Sequence, residues 1–309
     1  MTSTETQDTI YAISGAASQL FAARASGLYR SSDGGQTWQY AYRALLGDQP
    51  LPTLSVALSP AFAADGTLLA GTAGAVLISP DRGETWQVVQ FEPPPPVVSG
   101  IAFSPNFAQD GAAFLVTMED GVYCSTDRGQ TWMNWNFGLL DANGLCLAVS
   151  PGYAQDRTVL VGTSTGLFRS ENGGRSWQGL PLPCGFVSIT SLAFSPAYPQ
   201  DGCLFAGTEA SGLFRSTDRG QTWTSCGGGL GAGPVYSLLP APDFAICGKL
   251  LAVVEPGPML STDRGERFRP WLKGKLASAE VSALCAPEGL EEGKIVYVGV
   301  GEEVLSVRA

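Results

Sequence analysis

The chain contains no histidine. That absence removes Ser-His and Cys-His nucleophilic pairs, histidine metal centres and imidazole acid/base chemistry, so catalysis would have to rest on carboxylates, tyrosine, lysine or arginine. Lysine is scarce as well. Lys249, Lys273, Lys275 and Lys294 form no run, and a formal net charge of −10 leaves no basic surface for a phosphate backbone or an anionic bilayer. Nucleic-acid and membrane partners are therefore not expected, whereas cationic or neutral ones are. No stretch of about 18 apolar residues is available to span a bilayer as a helix. The opening Met1-Thr-Ser-Thr-Glu-Thr-Gln-Asp8 has neither the basic nor the apolar segment of a secretory leader, so the expected location is cytoplasmic. The cysteines at 124, 146, 184, 203, 226, 247 and 285 lie singly with no Cys-x-x-Cys spacing, which predicts free, mostly buried thiols, no metal and no cofactor. Charged residues reach only 15% against 44% apolar, too little charge for a disordered chain and enough apolar material for a large core.

What is abundant is punctuation. The 39 glycines and 21 prolines fall in short clusters, as expected of many short strands joined by tight turns. Between them one phrase recurs: Ser31-Ser-Asp33-Gly-Gly35-Gln-Thr37-Trp38, Ser79-Pro-Asp81-Arg-Gly83-Glu-Thr85-Trp86, Ser125-Thr-Asp127-Arg-Gly129-Gln-Thr131-Trp132 and Ser216-Thr-Asp218-Arg-Gly220-Gln-Thr222-Trp223. Weaker copies are Ser170-Glu-Asn172-Gly-Gly174-Arg-Ser176-Trp177 and Ser261-Thr-Asp263-Arg-Gly265-Glu-Arg267-Phe268. Successive Asp/Asn positions are 45 to 48 residues apart, one structural unit per period. Each unit holds four strand-like runs, as in 98–104, 112–117, 121–125 and 131–135, and a four-stranded sheet per repeat is the blade of a propeller. A second phrase, Ser-Pro-x-aromatic ending in Asp, follows the first run of four units, beginning at Ser59, Ser104, Ser150 and Ser195. It reads as an ordered loop with its own hydrophobic plug.

Residues 281–286, 295–300 and 303–307 repeat the first three runs after the sixth box. The expected fold is therefore all-β: one seven-bladed propeller over residues 1–309, with antiparallel four-stranded blades and the boxes turning between third and fourth strands. Blades fall at about 9–40, 53–90, 98–135, 145–179, 189–226, 235–271 and 281–309. Residues 1–8 are the only spare chain that could close the last blade as its fourth strand, since a ring must hide its sheet edges.

The phrase Ser-x-Asp-x-Gly-x-Thr-Trp resembles the Asp-box, or BNR, repeat of a propeller superfamily that includes sialidases, xyloglucan-type hydrolases, sortilin-like ectodomains and a photosystem II assembly factor. The resemblance implies the propeller and leaves the function open. It implies that Asp33, Asp81, Asp127, Asn172, Asp218 and Asp263, with Trp38, Trp86, Trp132, Trp177 and Trp223, are structural. Asn172 agrees, because an amide can accept loop hydrogen bonds but cannot serve as a catalytic carboxylate. A calcium role for the boxes is the alternative, weakened by the single acid each one offers.

The Arg-Ile-Pro of sialidases is absent, and most arginines sit inside boxes or share one third-strand position (Arg30, Arg169, Arg215). If strands alternate in direction, the boxes and the Ser-Pro loops share one face while the variable loops share the other. Aligned on the repeat, the end of the second strand carries Glu119, Glu209 and Glu255 in blades three, five and six, with Arg24 in blade one. These would ring the channel mouth, as candidate catalytic acids or as a solvated polar rim. Loops between blades add Arg43, Tyr42, Trp135, Asn136, Asp141 and Trp271 as ligand-binding candidates. Two classes follow: a non-catalytic binding or scaffold propeller, monomeric, presenting this face to a protein or peptide; or a carboxylate-dependent enzyme acting on a glycan at the channel mouth.

Overall fold

The computed structural model describes residues 7–255, 257–271, 276 and 280–309. Seven antiparallel sheets stand around an axis, and the seven-bladed all-β expectation is met. The innermost strands are Ile10–Ala16, Thr53–Leu58, Val98–Phe103, Gly144–Val149, Ile189–Phe194, Val235–Pro240 and Val281–Cys285. Each packs against the next around the ring, and Ile10–Ala16 packs against Val281–Cys285 to close it. Strands follow one another outward in chain order, so every blade is a meander of local hairpins.

The second strands Leu68–Thr72, Ala113–Thr117, Val159–Thr163, Leu204–Thr208 and Leu250–Val254 are buried at every residue. A blade is sandwiched between its neighbours, so these strands read as continuous apolar runs instead of alternating ones. The core accordingly lies between blades: Leu160 packs with Leu204, Phe214 and Trp223, and Ile10 and Leu20 pack with Ala283 and Tyr297 across the closure.

The Ser-Pro loops each hold one helical turn, Phe62–Asp65, Phe107–Asp110, Tyr153–Asp156 and Tyr198–Asp201. Ser59 Oγ donates to Asp65 Oδ2 at 2.6 Å, Asp65 Oδ1 accepts the Thr67 N–H at 2.9 Å, and the buried Phe62 ring meets Phe21 edge-on at 6.0 Å. Blade six has a fifth copy, Phe244–Cys247, in which Cys247 stands where the aspartate does elsewhere. The sequence reading passed over it because that residue is missing.

Blade seven departs from expectation. Among the described residues it has three strands, Val281–Cys285, Ile295–Val300 and Glu303–Arg308. Residues 7–9 do not run along the outer edge of Glu303–Arg308. They cross the turn before it, where the Asp8 N–H donates to Glu302 Oε1 at 2.9 Å and the Ile10 N–H to Gly301 O at 3.3 Å. The rest of the proposed closing segment, residues 1–6, lies outside the described residues. Trp38, in the box of blade one, is half-buried, whereas Trp86, Trp177 and Trp223 are buried against the outer part of a preceding blade.

The cysteines are all free, but only Cys124 and Cys203 are buried, and Cys184 is exposed. Burial pushes the Cys124 thiol up to about 11 and the Cys203 thiol up to about 12, so both remain protonated at neutral pH.

Candidate functional site

Two faces can be told apart by their hydrogen bonds. In blade two the Arg82 N–H donates to Gly66 O at 2.8 Å and its guanidinium to Ala63 O at 2.7 Å, so box and helical loop share one face. Arg128, Arg219 and Arg264 repeat the arrangement on Ala108, Pro199 and Ala245. These arginines occupy the left-handed region, with φ from 60° to 65°, where boxes one and four have Gly34 and Gly173. The loop bonds offset a strain that non-glycine residues rarely carry. The next position is glycine in all six boxes, with φ from 81° to 87°.

Inside box three, Asp127 Oδ1 accepts the Thr131 N–H at 2.9 Å and the Ser125 hydroxyl at 2.8 Å, while Oδ2 accepts the Thr131 hydroxyl at 2.5 Å. Asn172 reproduces the set, its Oδ1 accepting the Arg175 and Ser176 N–H groups and its Nδ2 donating to Ser176 Oγ at 2.7 Å. Asp218 is held down at about 2, first by the Thr222 hydroxyl and then by its N–H. In Asp81 and Asp127 burial pushes the carboxyl up, but the combined loop donors outweigh it and the net shift is downward. Every oxygen of these carboxylates is committed to its own turn. Outside the turns, Arg30 reaches Glu84, and Arg169 and Arg215 reach the carbonyls of Arg219 and Arg264, so the shared third-strand arginines are struts between blades.

The opposite face holds the variable residues, and the structure corrects the register read from sequence. Thr117 and Thr208 close equivalent turns, their hydroxyls donating to Gly121 O at 2.9 Å and Gly212 O at 2.8 Å. The residue following each donates its N–H across to the incoming chain: Met118 to Val97 and Glu209 to Ser188. Met118, not Glu119, is therefore the counterpart of Glu209, and one residue of slip turns a side chain to the other side of a strand. Among the described residues no three Asp, Glu or Cys side chains come together in a way that could hold a metal ion, so Glu119, Glu209 and Glu255 do not form a common metal-binding cluster.

Glu209 and Glu255 instead flank a residue that the sequence reading missed. Tyr236 Oη donates to Glu255 Oε1 at 3.2 Å, and desolvation, followed by the Glu255 bond and the charges of Glu255 and Glu209, raises its pKa so that it stays protonated. Tyr236 is a bulged residue. In every blade the register slips near the start of the first strand, leaving Tyr11, Leu54, Ser99, Leu145, Thr190, Tyr236 and Ser282 as the extra residues. Ser99 and Thr190 turn their hydroxyls onto the next blade, at Gly144 O and Val235 O. Tyr11 and Tyr236 are instead 44% and 46% exposed, on either side of blade seven. The only sequence signal was a large polar aromatic where the other copies carry Leu, Ser or Thr.

Several expected ligand residues are otherwise engaged. Arg24 is held at the seam between blades one and seven. It pairs with Asp8 at 3.6 Å, donates to Glu302 O at 3.2 Å and lies over the Tyr29 and Trp38 rings. Tyr42 is fully buried, shares a 3.1 Å hydrogen bond with Thr53 and meets Trp86 edge-on at 5.1 Å. Trp271 is buried against Leu276 and Leu290. Asp141 accepts from Ser164 and Thr165 hydroxyls, both at 2.8 Å, and Asn136 cross-links Asp120 and Val122. Trp135 is partly buried beneath the Arg175 guanidinium. Of this set only Arg43 is exposed, in an exposed ion pair with Asp48.

No helix among the described residues is long and apolar enough to cross a membrane. The chain matches no protein-family model and no curated protein. Solved structures do resemble it. The extracellular domain of a one-component system from B. thetaiotaomicron aligns over 98% of this chain with TM-score 0.70 and 16% identity, and the chain spans 38% of that domain. YCF48 bound to D1 peptide aligns over 99% of this chain and 95% of its own, with TM-score 0.70 and 18% identity. The GH74 xyloglucanase from Xanthomonas campestris aligns over 98% of this chain and 52% of its own, with TM-score 0.75 and 20% identity. At these identities the likeness is one of fold, and it agrees with the propeller that the box phrase implies.

Proposed function

We propose that the chain is a binding propeller that presents the face opposite the box turns to a protein or peptide partner, with Tyr236, Glu255 and Glu209 as the centre of the contact and Tyr11 beyond blade seven. The observation that carries this reading is the exposed Tyr236–Glu255 pair with Glu209 beside it. The two carboxylates attract ammonium or guanidinium groups, and the two exposed tyrosines offer ring faces to the same cations. YCF48, a propeller of the same fold, binds a peptide, and a net charge of −10 favours encounter with basic segments. The test is a random peptide array probed with the chain and with Glu209→Gln/Glu255→Gln. Bound peptides should be rich in lysine and arginine, and the double variant should bind about tenfold more weakly at low salt. Equal binding by parent and variant would place the contact elsewhere.

A further inference from the structure

A groove enclosing about 910 Å³ follows the outer edge of blade one, where the short fourth strand Gln39–Tyr40 meets the box turn of blade two. A second cavity of about 340 Å³ shares Arg30, Gln39 and Glu84 with it and continues it along blade one. The two parts differ in chemistry. The first is walled by Tyr29, Trp38 and Tyr40, all half-buried, with the two tyrosine rings 5.6 Å apart. Gln19, Ser32 and Thr37 contribute hydroxyl and amide groups to the second.

Charge along the groove is balanced. Arg30 pairs with Glu84 at 2.5 Å, Arg43 pairs with Asp48 at 3.0 Å, and Arg82 is matched by Asp81 in the second cavity. In a chain this acidic, three cations against three carboxylates leave a local surface that selects neither sign. The Arg30–Glu84 pair is bidentate and Arg43 donates twice to Asp48 Oδ1, and the remaining N–H bonds and lone pairs of these two pairs suit neighbouring hydroxyl groups. Half-buried aromatic rings present a negative face to C–H bonds whose hydrogens are slightly positive. A ligand with apolar C–H faces, equatorial hydroxyls, no net charge and an extended shape meets all of these features.

We propose that this groove is a binding site for a neutral oligosaccharide, separate from the face opposite the boxes. The test is calorimetric titration of the whole chain with cellohexaose, maltohexaose and mannohexaose. At least one should bind saturably, and Gln39→Ala and Arg43→Ala should each weaken it about fivefold, as loss of one or two hydrogen bonds would. Both residues are exposed, and neither side chain supports the core. Glu209→Gln/Glu255→Gln should leave sugar affinity unchanged, which separates this site from the peptide-binding reading. The proposal is overturned if none of the three sugars binds at concentrations up to about 5 mM, the weak end of the affinity scale. Binding that ignores both groove variants, or displacement of the sugar by an unstructured basic peptide, would overturn it equally.

Discussion

At the scale of single residues, the box aspartate is a hydrogen-bond hub whose acceptor role an amide can take over. Asn172 satisfies the same turn with an amide, reversing only the bond to the hydroxyl at the seventh position. Asp218→Asn should therefore change stability at neutral pH by no more than about 0.5 kcal/mol. In acid the two chains should part. The Asp218 carboxyl is held at about 2 against an ordinary 3.8, so its contribution is complete above the unfolded value and is lost as pH falls through 3.8 towards 2. Urea midpoints between about pH 4 and pH 2 should fall less steeply for Asp218→Asn than for the parent. Identical slopes would show that the carboxylate adds nothing beyond what the amide supplies.

At the scale of elements, the box tryptophans tie each turn to the preceding blade, but unequally. Trp86 is buried, donates to Ala41 O at 3.0 Å and stacks edge-on against Tyr42. Trp132 is half-buried and donates only to Gly129 O in its own turn. Trp86→Ala should cost about 3–5 kcal/mol, as a large buried aromatic leaves a cavity. Trp132→Ala should cost about 1–2 kcal/mol, since less area leaves water. Denaturant unfolding measures both, and equal losses would mean that burial between blades does not set the cost.

Across the whole molecule, ring closure runs through a small polar clamp. Asp8 joins Glu302 of blade seven to blade one through the Ser26 N–H at 2.8 Å and through Arg24. Around it, Ile10 and Ile13 of blade one are buried together with Ala283 and Tyr297 of blade seven. Asp8→Ala should lower stability by about 1–2 kcal/mol, and deletion of residues 1–8 by at least as much. A melting midpoint unmoved by either change would mean that apolar packing alone closes the ring.

The repeat, the blade count and the box turns were legible in the sequence because each is local. A box closes within eight residues, and within each blade every strand pairs with the next in the chain, so periodicity alone determined the architecture. The identity of the free side chains on the variable face was not local. Tyr42 and Asp141 looked available until Trp86 covered the first and the turn at Ser164 and Thr165 filled the second. Those partners lie 23 or more residues away in sequence. Glu119 changed place with Met118 because the register is counted from a buried threonine hydroxyl, and Tyr236 emerged from a bulge that no spacing announces. Sequence alone determined that seven similar blades form, since their bonds are short-range. Tertiary structure decided which residues on them remain open to a partner, since burial depends on the neighbouring blade.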